Sequence, residues 1–244
     1  MGKLTLIYKY LFYITLLAEL FPLIFCILFY KKLNTKALKV FFAYAVSLFS
    51  FTLLAFLSRE VAQNSMSYFL LLRIFNIVEY TLIALFLRNV YQSTLFRRIV
   101  IFTIVPFIIF AVVDYIVTDK SQFNNHSTIV SSLLLILFII YFFFEKMNTV
   151  VIYPLYQSIS FWICVGLFLY FSGSFFFFLF IKAGEEKEFV ILMNSIYAFV
   201  VILKNGLLSG ALLASENSDS NDSLQIPNDL DLDELSPLIH PKKL

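Results

Sequence analysis

Seven long apolar runs follow one another from Leu4 to Ser215, and only short polar connections separate them. A run of roughly 20 apolar residues is long enough to cross a ~30 Å hydrocarbon core, and a spanning segment must satisfy its own backbone hydrogen bonds. The pattern therefore predicts an all-α integral membrane protein built as a seven-transmembrane-helix bundle. The predicted spans are approximately 5–30, 37–57, 67–90, 99–118, 128–145, 158–182 and 188–213.

Composition supports the same fold class. Hydrophobic residues make up 61% of the chain and charged residues 14%, whereas soluble domains average about 45–50% apolar and about 25% charged. A water-soluble core of 244 residues could not cover this much apolar surface. The expected partner of this surface is the lipid bilayer, and we expect no nucleic-acid partner.

Basic residues in the connections predict the orientation, because cytoplasmic loops of membrane proteins are enriched in lysine and arginine. The first, third and fifth loops carry most of them: Lys31, Lys32, Lys36, Lys39, Arg88, Arg97, Arg98 and Lys146. The other connections have fewer, and acidic residues offset several of those. We therefore expect the N-terminus outside and the C-terminus in the cytoplasm. The expected location is a bacterial inner (plasma) membrane, as a multi-pass protein.

The last 30 residues differ from the rest in composition. Residues 1–214 are predicted to form the transmembrane domain, and residues 215–244, rich in Ser, Asn and Asp, a disordered acidic cytoplasmic tail. Two interpretations stay open for this tail. It is either a solvated segment without a partner or a docking segment for a membrane or cytoplasmic protein, with Leu232, Leu235, Leu238 and Ile239 as contacts.

A few ionisable residues fall inside the spans, where each would cost about 2.5–3.5 kcal/mol if it faced lipid. They are Glu19 in helix 1, Arg73 and Glu79 in helix 3, and Lys204 in helix 7. Such residues usually face the interior of the bundle and pair with one another. The rise per residue puts Glu19, Glu79 and Lys204 at similar depths, and Arg73 at a shallower level with Asn194.

Helical spacing groups further polar residues with these four, and it predicts a polar seam between helices 1, 3 and 7. The additional predicted members are Asn76, Tyr80, Tyr170, Asn194, Tyr197 and Asn205. The seam is either an ion-pair network that only fixes helix packing, or a site for a ligand, a proton or a switch. In helix 6, the small residues around Tyr170 indicate close packing or, alternatively, a bend that opens a cavity.

Several kinds of chemistry have no support in the sequence. The two histidines, His126 and His240, lie in a loop and in the tail, and Cys26 and Cys164 lie within apolar runs without a C-x-x-C pair. Metalloprotease, nucleophile-elbow and phosphate-loop motifs are absent from the chain. We therefore predict no metal, no cofactor and no catalytic residues, and favour a protein that is not an enzyme.

Three stretches resemble a group of bacterial seven-transmembrane-helix proteins with no assigned activity: Asn76–Tyr80, Phe161–Gly173 and Lys204–Leu208. Two other families are similar at single positions. Lys204 in helix 7 resembles the Schiff-base lysine of microbial rhodopsins, which implies retinal as a possible cofactor and Glu79 as its counterion. Asn76 and Asn194 resemble the paired asparagines of seven-helix sugar uniporters, which implies a transporter.

These observations favour a non-enzymatic polytopic membrane protein, either sensor- or receptor-like or an accessory subunit, with its buried polar seam as the functional element. The alternatives are a small-solute transporter, a membrane-embedded lipid enzyme and a retinal-binding protein that uses Lys204.

Overall fold

The computed structural model describes residues 2–58, 65–118, 126–148, 157–181 and 187–214, with side chains from Tyr13 onward except those of Ser65 and Lys187. These residues form seven α-helices and one short 3-10 turn, and contain no strand. The helices are α1 (Gly2–Leu28), α2 (Lys36–Phe56), α3 (Ser65–Val90), α4 (Thr94–Val117), α5 (His126–Asn148), α6 (Ile159–Phe180) and α7 (Lys187–Ala211). The predicted tail at 215–244 lies outside the described residues.

Six of the helices are long and apolar enough to cross a membrane, which is consistent with a polytopic membrane protein in contact with lipid. In α1 the stretch with described side chains, Tyr13–Leu28, is shorter than a full span. The predicted span ends agree with the helix ends to within three residues, except that α4 begins at Thr94 instead of 99.

The early start of α4 has a long-range cause. Glu145 near the end of α5 accepts hydrogen bonds from the backbone N–H of Gln92, at 3.0 Å, and of Ser93, at 2.7 Å. The first N–H groups of a helix lack partners within the helix, and a carboxylate there also complements the helix dipole. A residue 52 positions away thus anchors the start of α4.

Six helices form a closed ring in the order α1, α2, α3, α5, α6, α7, with α7 packed back against α1. The remaining helix, α4, packs on the outside against α3 and α5. Its outer face is strongly exposed and apolar, and Phe102 and Val117 each keep 78% of their surface accessible. An exposed face of this kind is expected where a helix meets lipid rather than water.

Two side-chain clamps close the end of the ring that carries the loops after α1, α3 and α5. Lys32 Nζ donates hydrogen bonds to the carbonyl oxygens of Leu212, at 3.0 Å, and Ala214, at 3.2 Å, and so caps the C-terminal end of α7. On the opposite side of this end, the Glu145 contacts tie α5 to α4. Tyr91, just after α3, donates from its hydroxyl to the carbonyl of Phe138 in α5 at 2.7 Å.

Helices α6 and α7 approach closely at two glycines. A Cβ atom added to Gly173 would lie 2.8 Å and 2.9 Å from the two Cγ atoms of Val200, and one added to Gly166 would lie 3.2 Å from Leu207 Cβ. The packing interpretation of the small residues in helix 6 therefore holds, and α6 is a continuous helix through them.

We predict that Gly173→Ala destabilises the protein by about 1–3 kcal/mol, because the new methyl group overpacks the interface with Val200. Thermal unfolding of the purified protein in detergent, followed by Trp162 fluorescence, measures the effect. Gly210→Ala is the matched control, since a Cβ there meets nothing within 4 Å. Alanine favours a helix over glycine, so the control should be unchanged or more stable. Equal stability of both variants would contradict the close approach.

Candidate functional site

A cavity of about 380 Å³ lies inside the ring, and all six ring helices contribute to its lining. It is bounded by the C-terminal halves of α2 and α6 and by the N-terminal halves of α3, α5 and α7, so it lies toward the end opposite the two clamps. Its volume falls in the range of ligand sites, about 300–1,000 Å³.

Aromatic side chains form much of the wall. Phe51 of α2 and Phe75 of α3 contact each other with ring centroids 5.5 Å apart, and Phe177 of α6 stacks on Tyr197 of α7 at 4.6 Å. Both pairs line the cavity. Offset and stacked aromatic pairs make rigid walls that present ring faces and edges to a ligand.

Glu79 lies at the deep end of this lining and is buried. The hydroxyl of Tyr44, a buried residue of α2, donates a hydrogen bond to Glu79 Oε1 at 3.0 Å. This bond joins α2 to α3. Lys204 is the main source of positive charge near Glu79, and Glu19 is a second negative neighbour.

Lys204 is 1% exposed and is held between aromatic rings rather than in direct contact with a carboxylate. Its Nζ atom lies 4.1 Å from the ring centroid of Tyr170 and 6.0 Å from that of Tyr44. Glu79 and Glu19 are its electrostatic neighbours, in that order of strength. Lys204 does not line the cavity. The retinal alternative therefore gains no support from the lining.

Glu19 reaches the cavity from α1. Its carboxyl group interacts with the side chain of Thr52 in α2, which is also part of the lining. Its second oxygen, Oε2, is buried and has no hydrogen-bond partner within the described part of the chain. The predicted grouping of Glu19 and Glu79 with Lys204 is therefore present as a cluster of one amino and two carboxyl side chains at the inner end of the cavity.

Asn76 lines the cavity one turn before Glu79 and is 7% exposed. Its Oδ1 lies 2.9 Å from Ser131 Oγ, which also lies 2.9 Å from the carbonyl of Thr128, while its Nδ2 is buried without a partner among the described residues. A serine hydroxyl has one proton and cannot donate to both oxygens. Whichever way the amide is turned, one of its two polar atoms stays unpaired.

The other predicted residues divide into two groups. Asn194 and Tyr197 of α7 and Tyr170 of α6 line the cavity as expected, and Asn194 Nδ2 also donates to the carbonyl of Val190 at 2.7 Å. Asn205 is fully buried next to Lys204 in sequence but is not part of the lining, and neither of its amide atoms has a partner among the described residues.

Tyr80 and Arg73, two predicted members of the seam, contact α4. The hydroxyl of Tyr80 donates to Thr103 of α4 at 3.0 Å, and the Arg73 guanidinium lies 5.1 Å from the ring of Tyr115, also in α4. Neither residue lines the cavity. They lie on the part of α3 that faces α4, the helix outside the ring.

The lining is also wider than the predicted three-helix seam, because α2, α5 and α6 contribute to it as well as α1, α3 and α7. The prediction missed Tyr44 and Thr52 in α2 and Thr128 and Ser131 in α5. A signal for the first two was present: Tyr44, Leu48, Thr52 and Ala55 follow the spacing of one helix face.

Comparison with known proteins identifies no relative. No protein-family model, curated protein or solved structure matches this chain. The resemblances noted in the sequence therefore stay predictions, and the functional argument depends on the cavity and its charged end.

Proposed function

We propose that this chain is a non-enzymatic, seven-span membrane protein of the sensor or receptor type, or an accessory subunit, that binds a small ligand in the cavity. The carrying observation is the cavity itself, a space lined by six helices with Glu19 and Glu79 in its lining and Lys204 next to them. A structural ion-pair network would need no ligand-sized space beside it. The alternative of a lipid enzyme receives no support from this lining.

The distribution of basic residues supports the orientation that goes with this proposal, in which the C-terminus is in the cytoplasm. Basic residues gather at the clamped end of the bundle, which places that end in the cytoplasm if the usual loop asymmetry applies. The cavity then faces the outer side of a bacterial inner membrane. Helix α1 has 27 residues, roughly 40 Å of helix, which is enough for a seventh span.

A route from the cavity to the cytoplasmic end runs through the charged cluster. Lys204 contacts the ring of Tyr170 on α6 and lies on α7, whose C-terminal end Lys32 caps from the connection between α1 and α2. A ligand that interacts with Glu19 or Glu79 changes the charge balance around Lys204. Such a ligand shifts the protein between two packings only by its difference in affinity for them.

A small-solute transporter would use the same cavity, so it is the second candidate function. It would additionally need to open the end where Lys32 and Glu145 hold the helices together. A receptor needs only a small rearrangement there, and the two clamps therefore favour the receptor type.

Filling the cavity tests the proposal. Protein purified from its native membrane should carry a small molecule detectable by mass spectrometry, and Ala198→Phe should remove it, because Ala198 is buried in the lining. The control is Ala43→Phe, which adds the same volume at an exposed position of α2. We expect at least a tenfold loss of bound ligand in the first variant only. Identical small-molecule contents in wild type and Ala198→Phe would contradict ligand binding in the cavity.

A further inference from the structure

The charges around the cavity are unequal, and this points to the class of ligand. Among the described residues, the lining contains two carboxyl groups, those of Glu19 and Glu79, and no Lys, Arg or His. Lys204 is the single cation among the electrostatic neighbours of Glu79, and Arg73 interacts with α4 instead. Among the described side chains, one ammonium group therefore lies beside two carboxyl groups, and a cation would balance the second carboxyl group.

We infer that the ligand is a small organic monocation, a protonated amine with an apolar body, whose positive group is received at Glu19. This inference rests on the proposed ligand-binding function. Glu79 already accepts from Tyr44 and has Lys204 beside it. Glu19 interacts with Thr52 through its side chain and keeps Oε2 buried without a partner. Glu19 is therefore the carboxyl group with an open acceptor.

Asn76 lies in the same lining, one turn before Glu79. As the structure assigns its amide, Oδ1 faces Ser131 Oγ and the unpaired atom is the donor Nδ2, so Glu19 Oε2 is the unpaired acceptor among the described lining atoms. An open acceptor at a buried position is costly until it meets a donor, and an ammonium group offers several N–H donors.

The aromatic walls of the cavity suit the apolar body of such a ligand. The Phe177–Tyr197 stack and the Phe51–Phe75 pair present aromatic surfaces to the cavity. Aromatic faces attract cations as well as apolar groups, and the attraction is largest where water is excluded. Lys204 already interacts in this way with the ring of Tyr170, so the site stabilises one ammonium group by the chemistry inferred for a second.

A matched set of three probes tests the charge preference: 2-phenylethylamine, 2-phenylethanol and phenylacetate, which have similar size and a positive, neutral and negative group. Binding to the full chain in lipid nanodiscs is measured by titration calorimetry. We expect the amine to bind at least about tenfold more tightly than the alcohol, a difference of about 1.4 kcal/mol, and phenylacetate to bind weakest.

Glu19→Gln should remove the preference, so that the affinity for the amine falls at least about tenfold relative to the affinity for the alcohol. Glu188→Gln is the control, because it makes the same change at an exposed position in the first turn of α7, outside the lining. Trp162 fluorescence checks that both variants are folded.

Alcohol or phenylacetate binding as tightly as the amine, no binding by any of the three, or an amine preference that survives Glu19→Gln would each overturn the cation inference. The proposed function would fail separately, by the presence of the same native small molecules in wild type and Ala198→Phe.

Discussion

Lys204→Met is expected to lower the free energy of unfolding by about 3 kcal/mol, the low end of the range for removing one member of a buried charge pair. Methionine keeps most of the side-chain length and its contact with Tyr170, so the loss is mainly electrostatic. Glu79 would lose the cation nearest to it while staying buried. We place the effect at the low end because Lys204 makes aromatic rather than direct carboxylate contacts.

A double mutant separates charge from packing in this prediction. Lys204→Met combined with Glu79→Gln should recover at least half of the lost stability, because it removes the uncompensated carboxylate. Lys39→Met is the control, since Lys39 is exposed on α2, and it should change stability by less than about 0.5 kcal/mol. Chemical unfolding in mixed micelles measures all four proteins. Wild-type stability of Lys204→Met would show that the carboxyl groups do not depend on it.

The helices were predictable because hydropathy and length decide them. The start of α4 was not predictable, because the apolar run begins only after Arg97 and Arg98, whereas the helix begins earlier, at Thr94. The reason lies in Glu145, a carboxylate from another helix that binds the backbone ahead of Thr94. A hydropathy pattern contains no information about such a long-range cap.

The helical rise per residue grouped Glu19, Glu79 and Lys204, and the structure brings these three side chains into electrostatic contact. Their neighbours were not predictable, because a helix face can be read from spacing but the helix that meets it cannot. Arg73 and Asn76 lie one turn apart on α3, yet Arg73 meets α4 and Asn76 meets α5. The position of α4 outside the ring causes this division.

The residues that the prediction missed show the same limit, namely that the sequence does not indicate which helices are neighbours. Tyr44 is a single tyrosine on an apolar helix, and its importance comes from a hydrogen bond to Glu79, 35 residues later in the chain. The sequence around Tyr44 does not indicate this hydrogen bond, because the bond depends on the position of α2 between α1 and α3 in the ring. Glu79 and Lys204 are thus held by aromatic residues of two further helices: Tyr44 of α2, which the prediction missed, and Tyr170 of α6, which it included.

Tyr44→Phe tests this aromatic support and should cost about 1.5–3 kcal/mol, the range for a hydrogen bond to a charged group. It leaves Glu79 Oε1 without the donor that it has at 3.0 Å, and both residues are buried. Tyr91→Phe is the matched control, because it also removes a buried tyrosine hydroxyl bond between helices. Its acceptor, the carbonyl of Phe138, lies within α5 and is bonded along the helix as well. Loss of that second bond should cost about 0.6 kcal/mol, the average for interhelical bonds in membranes. Thermal unfolding in detergent would contradict the assigned role of Tyr44 if Tyr44→Phe were no less stable than Tyr91→Phe.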